Sequence, residues 1–434
     1  MKKLLVVAVV LAIACLSSVA LAAEVTVNGN VDVRSRLFSN YDLNDDAGTP
    51  GDTESRTYTE SRYMLDINVK ASDTAKAKLS LWNEHFAWGS TRTFASTGNT
   101  AGAVDGAQGP AVAVREAWLD IMLPDMPIGI KAGKQVMQNA NGWFFRSNYG
   151  GSEAWIVYTK QGNNTFALQD VKLLEGANIT STDDMDLYTA KGAMKMGDNT
   201  FGVELSMLKD NNDVVLVAPG SQNDGKLYNL GLNFNGKAGP ATIKAELDIQ
   251  SGEAKGSTGK TKYKGNQIVV QASMPMDKLT LNATLARGTG SKSGSADEDE
   301  IVTLLDITRH YTMIYEYRIA GAAGRKYAGF ANTTALNVGA KFQAAKSVSV
   351  SADLWFLQAT EDVNVSPLGG AGVGAADSDL GIELDASINW QLAPNLSWNW
   401  DFGYFMPGDA YKYTAGGKDP DAAFGIQGVL ALTF

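Results

Sequence analysis

Apolar and polar residues alternate with a period of two along almost the whole chain. In residues 25–37, Val25, Val27, Val31, Val33 and Leu37 alternate with Thr26, Asn28, Asn30, Asp32, Arg34 and Arg36. Next, Tyr63, Leu65, Ile67 and Val69 oppose Arg62, Asp66, Asn68 and Lys70, and Ala75, Ala77, Leu79 and Leu81 oppose Lys76, Lys78 and Ser80. The beat persists far downstream. Ala241, Ile243, Ala245, Leu247 and Ile249 face away from Thr242, Lys244, Glu246, Asp248 and Gln250; Leu380, Ile382, Leu384, Ala386, Ile388 and Trp390 face away from Glu383, Asp385, Ser387, Asn389 and Gln391. Successive side chains of a strand point to opposite faces, so each run predicts a strand with one apolar and one polar face. A half-buried soluble sheet also alternates. Repetition to the end of the chain without a helical stretch instead predicts a transmembrane antiparallel β-barrel, all-β and up-and-down, with lipid on one face and water on the other.

The connections fix the strand count. Short turns are expected near 71–74, 124–128, 161–164, 196–199, 235–240, 275–278, 344–347 and 392–395. Long polar stretches fall near 39–56, 87–110, 138–151, 174–184, 209–225, 250–261, 359–378 and 406–421. Barrels of the outer membrane pair short periplasmic turns with long outer loops and carry an even number of strands. The long-short phase slips once, and treating residues 289–332 as one long outer loop, folding into the mouth, restores it. That gives about 18 strands, with about 20 as the alternative if the stretch holds an extra hairpin. Aromatic residues are expected at the membrane interfaces: Tyr58, Trp88 and Tyr404 beside long loops, and Trp390, Trp398 and Phe434 at the opposite end.

The N-terminus reads as a secretory signal. Lys2 and Lys3 precede the uncharged run Leu4 to Leu16, and Ala20-Leu21-Ala22 fits a cleavage site, so residues 1–22 are expected to be removed and 23–434 to form the barrel. The apolar run is too short to span a bilayer as a helix. Cys15, the only cysteine, would leave with the signal, and the mature chain would have no disulfide or thiol chemistry. Losing Lys2 and Lys3 moves the formal charge from −10 to −12, a sign that argues against nucleic-acid binding.

Charge on the polar faces supplies the candidate site. Arg34, Arg36, Arg62, Lys76, Lys78, Lys134 and Lys244 are expected to line a pore together with Asp66, Glu116, Asp120, Glu246, Asp248, Glu383 and Asp385. Such a lumen orders water and biases ion passage without binding one solute tightly. The five bases from Arg34 to Lys78 fall on three consecutive strands and are expected to form a basic wall, whereas acidic clusters such as 297–300 occupy the outer loops. Asp42, Asn44 and Asp46 match the first three ligands of a calcium loop, but Ala47 holds the usual glycine position and Thr53 replaces the terminal glutamate, so no metal is assigned.

Enzyme chemistry finds no support. His85 and His310 are the only histidines, no motif pairs a serine with either, and no haem-attachment signature is present. The expected function is a passive porin for small hydrophilic solutes and ions, without a cofactor. The competing reading is a barrel sheath or exporter that houses or passes a polysaccharide or an electron-transfer protein.

The last strand places Phe424, Ile426, Leu430, Leu432 and the terminal Phe434 on one face. This ending resembles the insertion signal of outer-membrane barrels, with Gly428 one residue off the usual glycine register, and implies recognition of Phe434 by the barrel-assembly machinery. Two further stretches, IELDASINWQLAPNLSWNWDFGYFMPGDA at 382–410 and REAWLDIMLPDMPIGIKAGKQ at 115–135, resemble the alginate-export family of outer-membrane channels. In the second, Gly133-Lys134-Gln135 stands where that family has Gly-Arg-Gln. The resemblance implies an 18-stranded barrel, monomeric rather than trimeric, set among lipid and lipopolysaccharide, with a solute-conducting lumen.

Overall fold

The computed structural model describes residues 23–41, 43, 55–83, 86–88, 112–176, 183–220, 224–306, 310–319, 326–363, 376–412 and 419–434. The signal segment and the Asp42–Asn44–Asp46 calcium candidate lie outside them, as does His85. Eighteen antiparallel strands form one closed barrel. In chain order they are β1 (Glu24–Ser39), β2 (Ser55–Ser72), β3 (Ala75–Trp82), β4 (Ala113–Met122), β5 (Ile128–Gln138) and β6 (Phe145–Gln161). β7 (Asn164–Leu174), β8 (Met185–Met196), β9 (Asn199–Asp210), β10 (Asp224–Ala238), β11 (Ala241–Lys255) and β12 (Asn266–Met276) follow. β13 (Leu279–Gly288), β14 (Thr333–Ala345), β15 (Val348–Val363), β16 (Asp377–Ala393), β17 (Leu396–Pro407) and β18 (Ala423–Thr433) complete the wall.

Each strand pairs with its neighbour in sequence, and β18 pairs with β1 from Asn30↔Thr433 to Ser39↔Phe424. Closure leaves no open edge, which hydrocarbon would not tolerate. Phe434 extends the seam: it exchanges main-chain hydrogen bonds with Gly29 (2.9 and 3.0 Å), and its ring covers the Gly29 α-carbon. A side chain at position 29 would occupy the space of that ring.

The two faces follow the alternation. Val27, Leu119, Trp155, Leu168, Leu205, Leu285 and Leu384 are exposed on the outside, the arrangement lipid requires. Bulges break the beat at several places. An extra residue in β16 opposite Leu357 and Gln358 turns Leu380 inward and buries it, although the simple alternation groups it with the lipid-facing set. A bulge opposite Ser80 and Leu81 admits Arg115, and one between Gln135 and Met137 bends β5 at its upper end. Tyr58 is also turned inward, bonded to Arg36 rather than placed at the lipid interface.

Short turns join β2–β3, β4–β5 and each later pair at one end of the barrel, and all the longer connections emerge at the other. Gly197 and Gly239 occupy left-handed backbone (φ +61°) in two of these turns, where a residue without Cβ is unstrained. The stretch expected as a loop at 138–151 is shorter, because pairing resumes at Met137↔Ser147 and leaves only 139–144 as the connection. Between β13 and β14, the described residues contain no strand that crosses the wall. Leu304–Leu305 instead pairs in parallel with Phe145–Arg146, drawing the segment across the barrel mouth. Ile301, Val302, Ile314, Tyr315 and Ile319 of this segment are buried against the inner wall. The apolar core therefore sits inside the barrel at the long-loop end, made by loops packing on strands.

Candidate functional site

Strand register brings the predicted lumen charges together as pairs. Arg62 lies directly opposite Asp32, and Arg34 opposite Glu60. Asp32 accepts from both Arg34 (2.7 Å) and Arg62 (2.9 Å), while Arg36 reaches Glu60 at 3.1 Å. Arg36 also donates to Gln427, Tyr58 and Tyr317. One strand further, Lys78 bridges Asp66 (3.1 Å) and Glu116 (2.5 Å). The basic wall expected from the sequence is thus interleaved with carboxylates that cancel much of its field at close range. Lys76 lies in register with Asp120, which accepts a 2.7 Å bond from Tyr158 Oη; Lys244 lies in register with Gln271.

A second set of carboxylates holds loops inside the barrel. Glu246 on β11 accepts the backbone N–H groups of Asn141 (2.7 Å) and Trp143 (3.1 Å), and Glu204 on β9 accepts that of Ala140 (2.8 Å). Glu383 on β16 accepts Ile314 (2.6 Å) and Tyr315 (2.8 Å), with its neighbour Asp385 close by on the same face. Asp306 accepts the N–H groups of Asn148 and Tyr149. Asp248 is held by Asn229 (2.8 Å) and Gln267 (2.9 Å). A buried carboxylate that accepts two backbone donors satisfies peptide groups that a loop in the lumen would otherwise leave unpaired.

Among the described residues, two adjoining cavities lie in the lumen beside these loops. One, about 590 Å³, is lined by Arg34, Arg36 and Arg62 together with Met313, Asp385 and Asp401. The second, about 450 Å³, lies against β11–β15. His310, Tyr311 and Asp385 border both. His310 Nδ1 is 2.5 Å from Glu316 Oε2, and its ring meets Tyr317 edge-on at 4.3 Å. Farther along the same segment, burial pushes the Glu300 carboxyl up to about 7, helped by Glu298 and opposed by the Lys326 N–H.

The profile of the alginate export family matches residues 27–424. The chain belongs to that family. No curated protein matches it. Among solved structures, the barrel is similar to a BenF-like porin from Pseudomonas fluorescens Pf-5 (TM-score 0.58, 10% identity, covering 95% of this chain and 98% of that one). It is also similar to Pseudomonas aeruginosa OccK11 (OpdR) (0.55, 10%, 95% and 96%) and to OccK2 (OpdF) (0.57, 11%, 94% and 97%). At such identities the likeness establishes the fold, a porin-type outer-membrane barrel. Porin and export-barrel families are generally non-enzymatic.

Within this alginate-export barrel one predicted lining residue is misplaced. Lys134, from the Gly133-Lys134-Gln135 triplet, shares its face with Ala117 and Glu153 on the outside, 3.8 Å from the Glu153 carboxylate. Register continues this outer row through Lys172, Asp186 and Lys209, so that opposite charges alternate across five strands near the long-loop end. Lys172 bonds Asp184 and Asp186 at 2.8 Å each. Sequence reasoning missed Glu204, Glu60 and Asp306 as wall or loop anchors. For Glu204 the parity of Phe201, Val203 and Leu205 was an available signal; for Asp306, in a long connection, there was none.

Proposed function

We propose that the barrel is a passive outer-membrane channel for small hydrophilic solutes and ions. The observation that carries this reading is a polar lumen in which, among the described residues, two anchored loops leave cavities of about 590 and 450 Å³, both bordered by His310 and Tyr311. Loops tied to the wall by Glu246 and Glu383 obstruct a polymer or a docked protein more than they obstruct a small solute, which favours diffusion over a sheath or exporter. The pore-lining role of the inward charges from Arg34 to Asp385 belongs to this proposal, as does a mouth at the long-loop end. The reading includes export through the periplasm, delivery by the barrel-assembly machinery acting on Phe434, and contact of the outer face with lipid and lipopolysaccharide as a monomer. It calls for no cofactor or catalytic group. Purified protein in a planar bilayer should give discrete, ohmic current steps in potassium chloride. A barrel that inserts with correct heat-modifiable mobility yet passes no ions would refute it.

A further inference from the structure

The second cavity differs in chemistry from the first. Its wall is a grid built by register: Ser273 opposite Asn282, Thr284 opposite Asn337, and Asn337 opposite Trp355. Lys244 and Gln271 form the adjoining rung. Asn282 and Asp353 flank Gly339 on either side, and a Cβ at 339 would collide with Asp353 Oδ1, so the glycine keeps this part of the grid open. Most of these groups are amides and hydroxyls, which both donate and accept and carry no net charge.

Aromatic side chains from the two infolded segments pack against this wall and border the same cavity. Trp143 comes from the 139–144 connection, seated by its N–H on Glu246, and Tyr311 comes from the 310–319 segment. Tyr311 stacks on Phe330 at 4.3 Å and packs against Trp355 at 5.2 Å, while Trp143 meets Phe330 at 4.6 Å. These contacts fix the rings, so they would lose little conformational freedom on meeting a ligand. A cavity of about 450 Å³ falls in the range that encloses a small organic molecule.

One ligand class matches rigid aromatic rings beside a set of amides and hydroxyls. A pyranose ring presents C–H groups on its faces and hydroxyl groups around its rim, so the rings would cover the former while the grid bonds the latter. Three arginines line the first cavity, whereas this one offers a single lysine, Lys244, four strands away from Asp353, with Asp385 and His310 at the border it shares with the first. We propose that the cavity bordered by β11–β15 and the Trp143–Tyr311 pair is a binding site for uncharged pyranose sugars on the solute path. This rests on the channel reading only in making the site part of a path; occupancy itself does not require conduction.

The test therefore uses two measurements. In planar bilayers, glucose and maltose should interrupt the ion current in a dose-dependent way. Sorbitol, with comparable hydroxyls but no ring face, and gluconate, an anion, should act at least about tenfold more weakly. In detergent, saturation-transfer NMR should show glucose ring protons receiving magnetisation from the protein, whether or not current flows. Gln271→Ala and Asn282→Ala each remove one hydrogen-bonding amide from the grid without touching either loop anchor, and each should raise the half-blocking glucose concentration by about fivefold. Equal effects of glucose and sorbitol, or responses unchanged in both variants, would overturn the proposal while leaving the channel standing. Loss of current with retained glucose transfer would do the reverse.

Discussion

Replacing Glu383 by leucine should loosen the segment that borders both lumen cavities. The carboxylate is fully buried and accepts the Ile314 and Tyr315 N–H groups at 2.6 and 2.8 Å. Glu383→Leu would leave both donors unpaired, at about 1–3 kcal/mol each, so roughly 2–6 kcal/mol in all. Against this stand three buried side chains of the same segment, Ile314, Tyr315 and Ile319, whose burial stabilises it by about 1.5–3 kcal/mol apiece, roughly 4.5–9 kcal/mol together. Because the ranges overlap only at their ends, the segment should stay seated most of the time but leave more often. Single-channel recordings should therefore show brief excursions to a larger conductance, rare in the parent protein. Chymotrypsin should cut at Tyr311, Tyr315 or Tyr317 faster in the variant, and Glu383→Gln, which keeps one acceptor oxygen, should fall between. Conductance and cleavage both indistinguishable from the parent would show that the two hydrogen bonds do not hold the loop.

Three further outcomes follow from other parts of the molecule. Leu384→Arg, on the exposed outer face in the middle of β16, should cost about 2–4 kcal/mol if that position sits at the membrane midplane, read from urea unfolding in lipid vesicles; a neutral result would reverse the assignment of faces. Phe434→Asp removes the ring over Gly29 and sets a charge at the seam, so the folded, heat-modifiable form should fall sharply in outer-membrane fractions; parental levels would contradict the role given to the terminal residue. Glu300, whose buried carboxyl is raised to about 7, binds its proton more tightly in the packed loop than in an unfolded one. Its contribution is complete below the ordinary glutamate range and is lost as pH rises through about 7. Amide exchange around 298–327 should accelerate between pH 5 and pH 8 in the parent and much less in Glu300→Gln; equal pH dependence in both would refute the assignment.

What could be read from the sequence is what repeats locally. A period of two places Leu384 outside and Glu383 inside whatever the rest of the barrel does, and the recurring short turns narrow the count to 18 or 20 strands, of which the structure has eighteen. Lys134 shows how that rule fails when charge is allowed to overrule it. Ile130 and Ala132 share its parity, and Ile130 pairs with the exposed Val157, so the strand itself points Lys134 outward; only its charge suggested water. Leu380 fails for a different reason, since one inserted residue inverts every side chain beyond it and no composition marks the insertion.

The loop anchors were out of reach because their partners are remote in sequence. Glu246 meets Asn141 from 105 residues away, and Glu383 meets Ile314 from 69. Nothing near either glutamate distinguishes it from Asp66 or Glu116, which face the same lumen but neutralise Lys78 instead. The difference lies in what stands across the water: a cation one strand away in one case, a loop with unpaired N–H groups in the other. Alternation specifies that a polar side chain points inward, but its task is set only when closure brings the far wall and the infolded segment within hydrogen-bond reach. The lumen charges therefore divide by partner rather than by sign, and neutralising Lys78 should disturb ion passage while leaving the anchored loops in place.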